Sequence, residues 1–529
     1  MQLRGDTDFW STCIQERGYT INNDIPSSPQ QDVFDPELFR KTAELVIGKL
    51  EKYLADSSIR GLELTNPYVL LESAKDLMTE EQESIAPFDA ERLGAIIDLY
   101  IKTGIQVYSP GYMGRQFSGV IPLAGIVDLI SSIVNQPSSF YEAGQLPNVV
   151  ERIMADELNK FIGWDPDNFA MVTTSGATLG NLTALLAARN DKFPEIWSGG
   201  VSALAGQCRP AIALSEDAHY SLQRAVGIIG VGENQIVRLP VNSQRQICIE
   251  KVRPTLEAAE QRGLKVFCLV ASAGTTAVGA FDQLEELAKI AKEKNIWLHV
   301  DGAHGASLLV SDQLRHKLKG IEKVDSFVWD AHKMMFLPGV CTLLFYRNRE
   351  KSYGAFHQNA SYVFEKTPDI YTQFDSGEQN FECTKRPLIM NLWVLWAIYG
   401  KAVFADKIEY LCELTKEAYQ ILKGEPDFQV LHQPEVNILC FRYLPSNLVE
   451  SEFPNFQVEI RNRIKECGKF FISKIDINGI PSLRLVFMNH QINSTHIGML
   501  LSEIRKTGQE LINQKQQKQT ISSEYKRSK

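Results

Sequence analysis

Two stretches decide how this chain is read: IWLHVDGAHG at residues 296–305 and SFVWDAHKMM at residues 326–335. Each opens on a short, unbroken apolar run, the pattern of a strand buried on both faces. Each run stops on a carboxylate, Asp301 in the first and Asp330 in the second, and Ala331, His332 and Lys333 follow the second. A carboxylate and a lysine 32 residues apart in sequence are thereby presented by neighbouring strand ends. A lysine withdrawn from water among other polar groups suits Schiff-base chemistry, because burial favours a neutral amine. A buried aspartate, in turn, can keep a heterocyclic nitrogen protonated. A salt bridge, or two unrelated surface-turn residues, is the plainer alternative for the pair.

Outward from these stretches the same alternation continues. Further apolar runs stand at FAMVTTSG (169–176), RPAIALS (209–215), VFCLVASAG (266–274) and CTLLFYR (341–347). Helical stretches lie between several of them, such as TLGNLTALLAARN (178–190) and DQLEELAKIAKEKN (282–295). Strands alternating with helices indicate a mostly parallel α/β sheet, whose ligands sit at the carboxyl ends of the strands. Ahead of it, Asp35-Pro36-Glu37 reads as a helix start, followed by Phe39, Ala43, Val46, Leu50 and Leu54 at helical spacing. The expected division is an N-terminal helical segment over 1–105, a large α/β domain over 106–385 and a small α+β domain over 386–512. The Gln/Lys/Ser-rich tail over 513–529 is expected to be disordered. The first segment has no self-sufficient core in its pattern and is expected to pack on a partner subunit.

Composition narrows the function classes. Hydrophobic residues make up 44% of the 529 and charged ones 22%, which excludes a disordered or collagen-like chain. A net charge of −9 argues against a general nucleic-acid surface. Nine cysteines without a CxxC spacing read neither as a disulfide framework nor as a metal site, so a reducing, cytoplasmic location is expected. The N-terminal residues show no apolar leader, and GVIPLAGIVDLISSIV and LWVLWAIYG are too interrupted or too short to span a bilayer.

HVDGAH and DAHKMM, in this order and spacing, resemble the pyridoxal-phosphate-dependent group II amino-acid decarboxylases, and the resemblance runs from about Ser109 to Glu510. It implies an α/β enzyme of PLP fold-type I, aspartate aminotransferase-like, working as a homodimer. By the resemblance, Lys333 binds pyridoxal 5'-phosphate as a Schiff base and His332 lies beside it near the phosphate. Asp301 meets the pyridine nitrogen, and Ala303 is a small residue against the ring. His219, in SEDAHYSLQRA (215–225), stacks on the ring, and Thr276, in ASAGTT (271–276), lies beside the cofactor. Ala177 and Thr178, in TTSGATLGN (173–181), contact the phosphate where a helix begins. Tyr362, in a lid-like stretch over 353–377, returns a proton to the α-carbon, and Arg484, in SLRLVFMN (482–489), binds the substrate α-carboxylate.

Three departures from the family pattern matter. Arg115, in SPGYMGRQFSG (109–119), stands about where animal glutamate decarboxylases have glutamine. As a pocket residue it favours an acidic side chain (glutamate, aspartate or cysteine sulfinate) and repels a cationic one. Asp330-Ala331 replaces the frequent Asn-Pro, and DGAHG replaces DAAWG or DAAYG. The expected reaction is α-decarboxylation of an L-amino acid. Its rivals are decarboxylation of diaminobutyrate or an aromatic amino acid, a decarboxylation-dependent aldehyde synthase, and a catalytically silent cofactor-binding homologue. No metal, nucleic-acid or membrane partner is expected.

Overall fold

The computed structural model describes residues 33–78, 86–356, 370–446 and 448–527. They fall into two compact units, one running to Asp56 and resuming at Thr65–Thr103, the other comprising Ser57–Leu64 and the chain from Gly104 onward. In the first unit, helix α1 (Pro36–Ala55) begins with the Asp35 carboxylate accepting the Glu37 N–H at 2.9 Å and with Pro36 in its first turn. Helices α2 (Pro67–Asp76) and α3 (Ala90–Lys102) follow, and among these three helices only Gly94 is buried. Phe34, Phe39, Tyr68 and Tyr100 stand exposed on it.

The first unit ends at Thr103, close to the expected boundary at residue 105, but the chain enters the second unit once before it, at Ser57–Leu64. Strand β1 (Leu62–Glu63) pairs antiparallel with β2 (Gly104–Ile105) inside the second unit. The Gly61 and Leu62 N–H groups donate to the carbonyls of Lys469 and Gly468, so remote chain satisfies this backbone. Nothing local in the sequence signals such a pairing. The expected break at 385 is blurred as well, because Ile389, Leu392, Ile438 and Val486 share one core with the large sheet.

Seven strands form that sheet: β3 (Ala170–Thr174), β4 (Arg209–Ser215), β5 (Ile236–Leu239), β6 (Leu264–Ser272), β7 (Trp297–Asp301), β8 (Ser326–Asp330) and β9 (Thr342–Tyr346). Their order is β3-β9-β8-β7-β6-β4-β5, and only β9 runs against its neighbours. Adjacent residues serve opposite faces: Phe327 and Trp329 join one core, Val328 the other. This explains the unbroken apolar runs, since neither face meets water. Helices α4 (Pro122–Val134), α5 (Gln145–Ile162), α6 (Ala177–Lys192) and α7 (Tyr220–Ile228) belong to this part of the chain. α5 supplies Val150, Met154 and Leu158 to one core, whereas α6 and α7 supply Leu185, Ala188, Leu222 and Val226 to the other. Gly180 lets α6 lie close on β8, because a Cβ there would meet the Val328 side chain at 2.9 Å.

The smaller sheet is antiparallel, in the order β10 (Phe428–Val430), β11 (Ile438–Tyr443), β13 (Ile480–Val486), β12 (Ser473–Ile477). Its core gathers Phe441, Leu483 and Leu485 with Ile460, Ile497 and Leu500. The last helix runs Ser494–Arg527, so the tail expected to be disordered from Asn513 is helical. Low hydrophobicity misled the reading: Gln, Lys and Glu are good helix formers, the tail has no Pro or Gly, and Ile512 is buried at its root. Among the described residues no helix is long and apolar enough to cross a membrane.

The sheet core makes a stability prediction. Phe327 is fully buried and stacks on Phe345 with ring centroids 4.7 Å apart. Phe327→Ala should cost about 3–5 kcal/mol, read as a lower denaturant midpoint at unchanged slope.

Candidate active site

The strand register assembles the site. Asp301 ends β7 opposite Ser272 of β6 and Val328 of β8, and Asp330 ends β8 opposite Thr342. Lys333 lies one turn beyond Asp330, its Nζ 2.9 Å from Oδ2 of that carboxylate. Asp330 is 2% exposed, and its other oxygen accepts from the Thr342 hydroxyl. His332 Nδ1 accepts the Cys341 N–H at 3.1 Å, with Nε2 3.7 Å from Asp330. Ser118, in the loop that carries Arg115, donates its hydroxyl to the Lys333 carbonyl at 3.1 Å.

Asp301 accepts from the Asn181 amide at 3.3 Å on one oxygen and from the Ala303 N–H at 3.2 Å on the other. His219 follows β4 and caps α7, its Nδ1 accepting the Ser221 N–H at 3.3 Å. Burial is the main cause that pushes the His219 pKa down, while the Asp301 carboxylate beside it pulls the other way and Lys333 adds to the fall. Asp301 and Lys333 therefore both lie within electrostatic reach of His219.

Helix α6 starts at Ala177 without a side-chain cap, on Gly176 at φ +99°, a conformation that glycine tolerates. The N–H groups of Ala177 and Thr178 belong to its first turn and have no intrahelical acceptor. Ser175, just before, donates to Glu382 at 2.6 Å, so a carboxylate stands at this rim. Under the loop, the buried Lys385 ammonium lies 2.8 Å from Glu151, which also accepts from the Thr173 N–H and hydroxyl at 2.6 Å each. Ala303 is buried, and Thr276, in the turn four residues past β6, is exposed. Tyr362 lies outside the described residues.

Arg484 is 5% exposed; it donates from Nε to the Ala277 carbonyl at 3.1 Å and from Nη1 to Ser473 at 3.2 Å, and Nη2 has no partner. Burial is the main cause of its pKa falling to about 10. Tyr112 is fully buried with its hydroxyl unpartnered and stacks on Phe471 at 5.8 Å. The guanidinium of Arg461 lies 5.9 Å from the centre of the same Phe471 ring, and Gly114, next to Arg115, rests against it. Arg115 itself is exposed, yet its charge acts on Tyr112, Arg461 and Arg484. None of these three arginines has a carboxylate partner among the described residues.

Sequence reading missed Asn181, His299, Glu151, Lys385, Tyr112 and Arg461. A signal existed for two of them: His299 shares a face of β7 with Asp301, and Asn181 lies one helical turn past Ala177. The others are brought in by chain remote in sequence.

The sequence matches the family model described as the pyridoxal-dependent decarboxylase conserved domain over residues 75–444. Among solved structures, that of mouse CSAD is similar at 24% identity, TM-score 0.82, over 90% of this chain and 99% of that one. The glutamate decarboxylase domain of a Vibrio parahaemolyticus diaminobutyrate-pyruvate transaminase and L-2,4-diaminobutyrate decarboxylase is similar at 20%, TM-score 0.78, covering 91% and 97%. Oryza sativa TDC, solved with PLP and tryptamine, is similar at 20%, TM-score 0.81, covering 91% and 100%.

The buried histidines predict an acid response. Burial pushes His299 and His304 each down to about 3. Their stability is complete above the unfolded value near 6.5 and is lost as pH falls toward 3, because only the unfolded chain takes up those protons. Asp282, raised to about 7 by burial, acts oppositely: its share is lost as pH rises from about 4 to 7. His304→Gln isolates one histidine. Its stability should fall less steeply than wild type between pH 7 and pH 5, by about 2 kcal/mol in denaturant titrations; parallel curves would contradict a neutral buried ring.

Proposed function

The chain belongs to the pyridoxal-dependent decarboxylases, and on that premise we propose that it decarboxylates an acidic L-amino acid (glutamate, aspartate or cysteine sulfinate) at the α-carbon. The enzyme is a carboxy-lyase that uses pyridoxal 5'-phosphate. The observation that carries the substrate reading is the arginine group without acids around Phe471. Three guanidinium groups and a buried hydroxyl with no carboxylate to answer them call for an anion. A cationic side chain there would meet repulsion.

In this proposal Arg484 takes the α-carboxylate, and Arg115 takes the acidic side chain. Pyridoxal phosphate, when bound, supplies the electron sink that makes loss of CO2 feasible. The residues at the strand ends suit that group. Lys333 offers the amine for its covalent attachment, held meanwhile by Asp330. Asp301 presents a carboxylate whose two oxygens are both placed as acceptors, suited to a protonated ring nitrogen. The uncapped N-terminus at Ala177 and Thr178 suits a dianion, with His332 beside it. His219 would cover the ring, with Ala303 and Thr276 against it. Proton return to the α-carbon would fall to Tyr362, directing the outcome to amine rather than aldehyde.

A homodimer belongs to the same proposal. Its support is apolar surface: Phe34, Tyr68 and Tyr100 on the N-terminal unit, and Ile126, Ile130, Ile133 and Val134 along α4, are exposed. The eight described cysteines are free, in keeping with a reducing, cytoplasmic setting.

An amino-acid panel scored for both CO2 and amine tests the reading, with acidic substrates expected first; a basic or aromatic best substrate would refute the role of Arg115. Lys333→Ala should lose turnover by at least about 10⁴-fold, some 5 kcal/mol of barrier, and borohydride should no longer fix the cofactor to the chain. Arg484→Met should depress every substrate, and Arg115→Gln the acidic ones selectively, each by about 1.5–3 kcal/mol.

A further inference from the structure

The environment of Asp301 contains a hydrogen-bonded relay whose direction is set at the carboxylate: it can only accept, so the Asn181 NH₂ group faces it and the Asn181 oxygen faces His299. The relay begins at Trp297, whose indole N–H can only donate, and does so to the Ser326 hydroxyl oxygen at 2.9 Å. Ser326 then has one proton to give, and its remaining contact is His299 Nδ1 at 2.8 Å. Because the Asn181 oxygen accepts at Nε2, the ring proton sits there and Nδ1 is left to accept from the Ser326 hydroxyl. Nε2 lies 2.9 Å from the Asn181 side-chain oxygen. The Asn181 NH₂ group, facing Asp301, donates to it at 3.3 Å.

Each member is placed by the fold. Trp297, His299 and Asp301 occupy one face of β7, at alternate positions. Ser326 is the register partner of His299 on β8. Asn181 comes from α6, which Gly180 lets approach that face. Ser326, His299 and Asn181 have no solvent exposure, and Trp297 has 2%. Burial pushes the His299 pKa down to about 3, so the ring stays neutral at working pH and the relay is not reversed by protonation.

We propose that Asn181, oriented by the Trp297–Ser326–His299 relay, is a positioning residue that fixes the Asp301 carboxylate as an acceptor for the pyridine nitrogen of the cofactor. This rests on the assignment of Asp301 to that nitrogen. Without Asn181, the carboxylate loses the donor on one oxygen and is free to turn on its strand end. Asn181→Asp keeps the shape and still accepts from His299, but turns a carboxylate oxygen toward Asp301 in place of the NH₂ group.

The test reads the ring nitrogen directly, by ¹⁵N NMR of enzyme loaded with [¹⁵N]pyridoxal phosphate. Wild type, Asp301→Asn, Asn181→Leu and Asn181→Asp are compared, with cofactor affinity and kinetics alongside. Asp301→Asn should move the resonance to the unprotonated position. Both Asn181 variants should move it part of the way and lower kcat roughly ten- to a hundredfold, the usual effect of losing a partner behind a liganding group, with KM little changed. Asn181→Asp is isosteric and keeps the test open if Asn181→Leu does not fold. Wild-type resonances in the folded Asn181 variants, with Asp301→Asn shifted, would overturn the positioning role. An unshifted Asp301→Asn would instead overturn the assignment of Asp301 on which it rests.

Discussion

Parallel pairing of β6, β7 and β8 sets the endpoints of three strands side by side, with Asp301 between Ser272 and Val328. Everything at the site depends on that register. A slip of one residue would turn Asp301 to the other face of the sheet, away from Asn181 and α6, and would exchange the two cores. Burial on both faces goes with this register: Phe327 and Trp329 fill one side and Val328 the other. The chemistry at the edge thus inherits its placement from apolar packing behind it.

Behind that edge, charge is handled by pairing. Asp330 is answered by Lys333 and by the Thr342 hydroxyl, and Glu151 by Lys385 and by Thr173. An unpaired charge in such surroundings would be costly, so each pair locks two segments together. Glu151 and Lys385 in this way tie α5, β3 and the chain before Ile389 beneath the start of α6. Asp330 stands at the strand end itself, buried, and its carboxylate gives the Lys333 ammonium a partner at 2.9 Å.

The arginines round Phe471 break the pairing rule. Arg115 and Arg461 lack an acidic partner among the described residues, and Arg484 is held by a carbonyl and a hydroxyl, with one nitrogen and the Tyr112 hydroxyl left over. This leaves positive charge without an acid, desolvated at Arg484, and a bound anion would relieve it. The contrast is between acids that have a lysine partner, Asp330 and Glu151, and arginines without an acid where substrate is proposed to bind.

Much of this was legible in the sequence, because strand interiors and strand ends carry different residues. Unbroken apolar runs marked six of the seven strands, and the polar residues at and just past their ends marked Asp301 and Lys333, whereas His219 came from the resemblance to the family. Short-range pattern marked the Asp35 cap and the α6 start in the same way. The four-residue strand Ile236–Leu239 has too little pattern to be read alone, and the charged tail beyond Asn513 hid a helix behind low hydrophobicity. Local sequence by itself therefore determined the α/β class, the family and the strand-end residues. What only the tertiary structure decided is which side chains face one another: Asn181 with Asp301, Glu151 with Lys385, and Arg461 with Phe471. Those contacts join positions 120, 234 and 10 residues apart, and they exist only once the elements have packed and fixed the direction of each side chain.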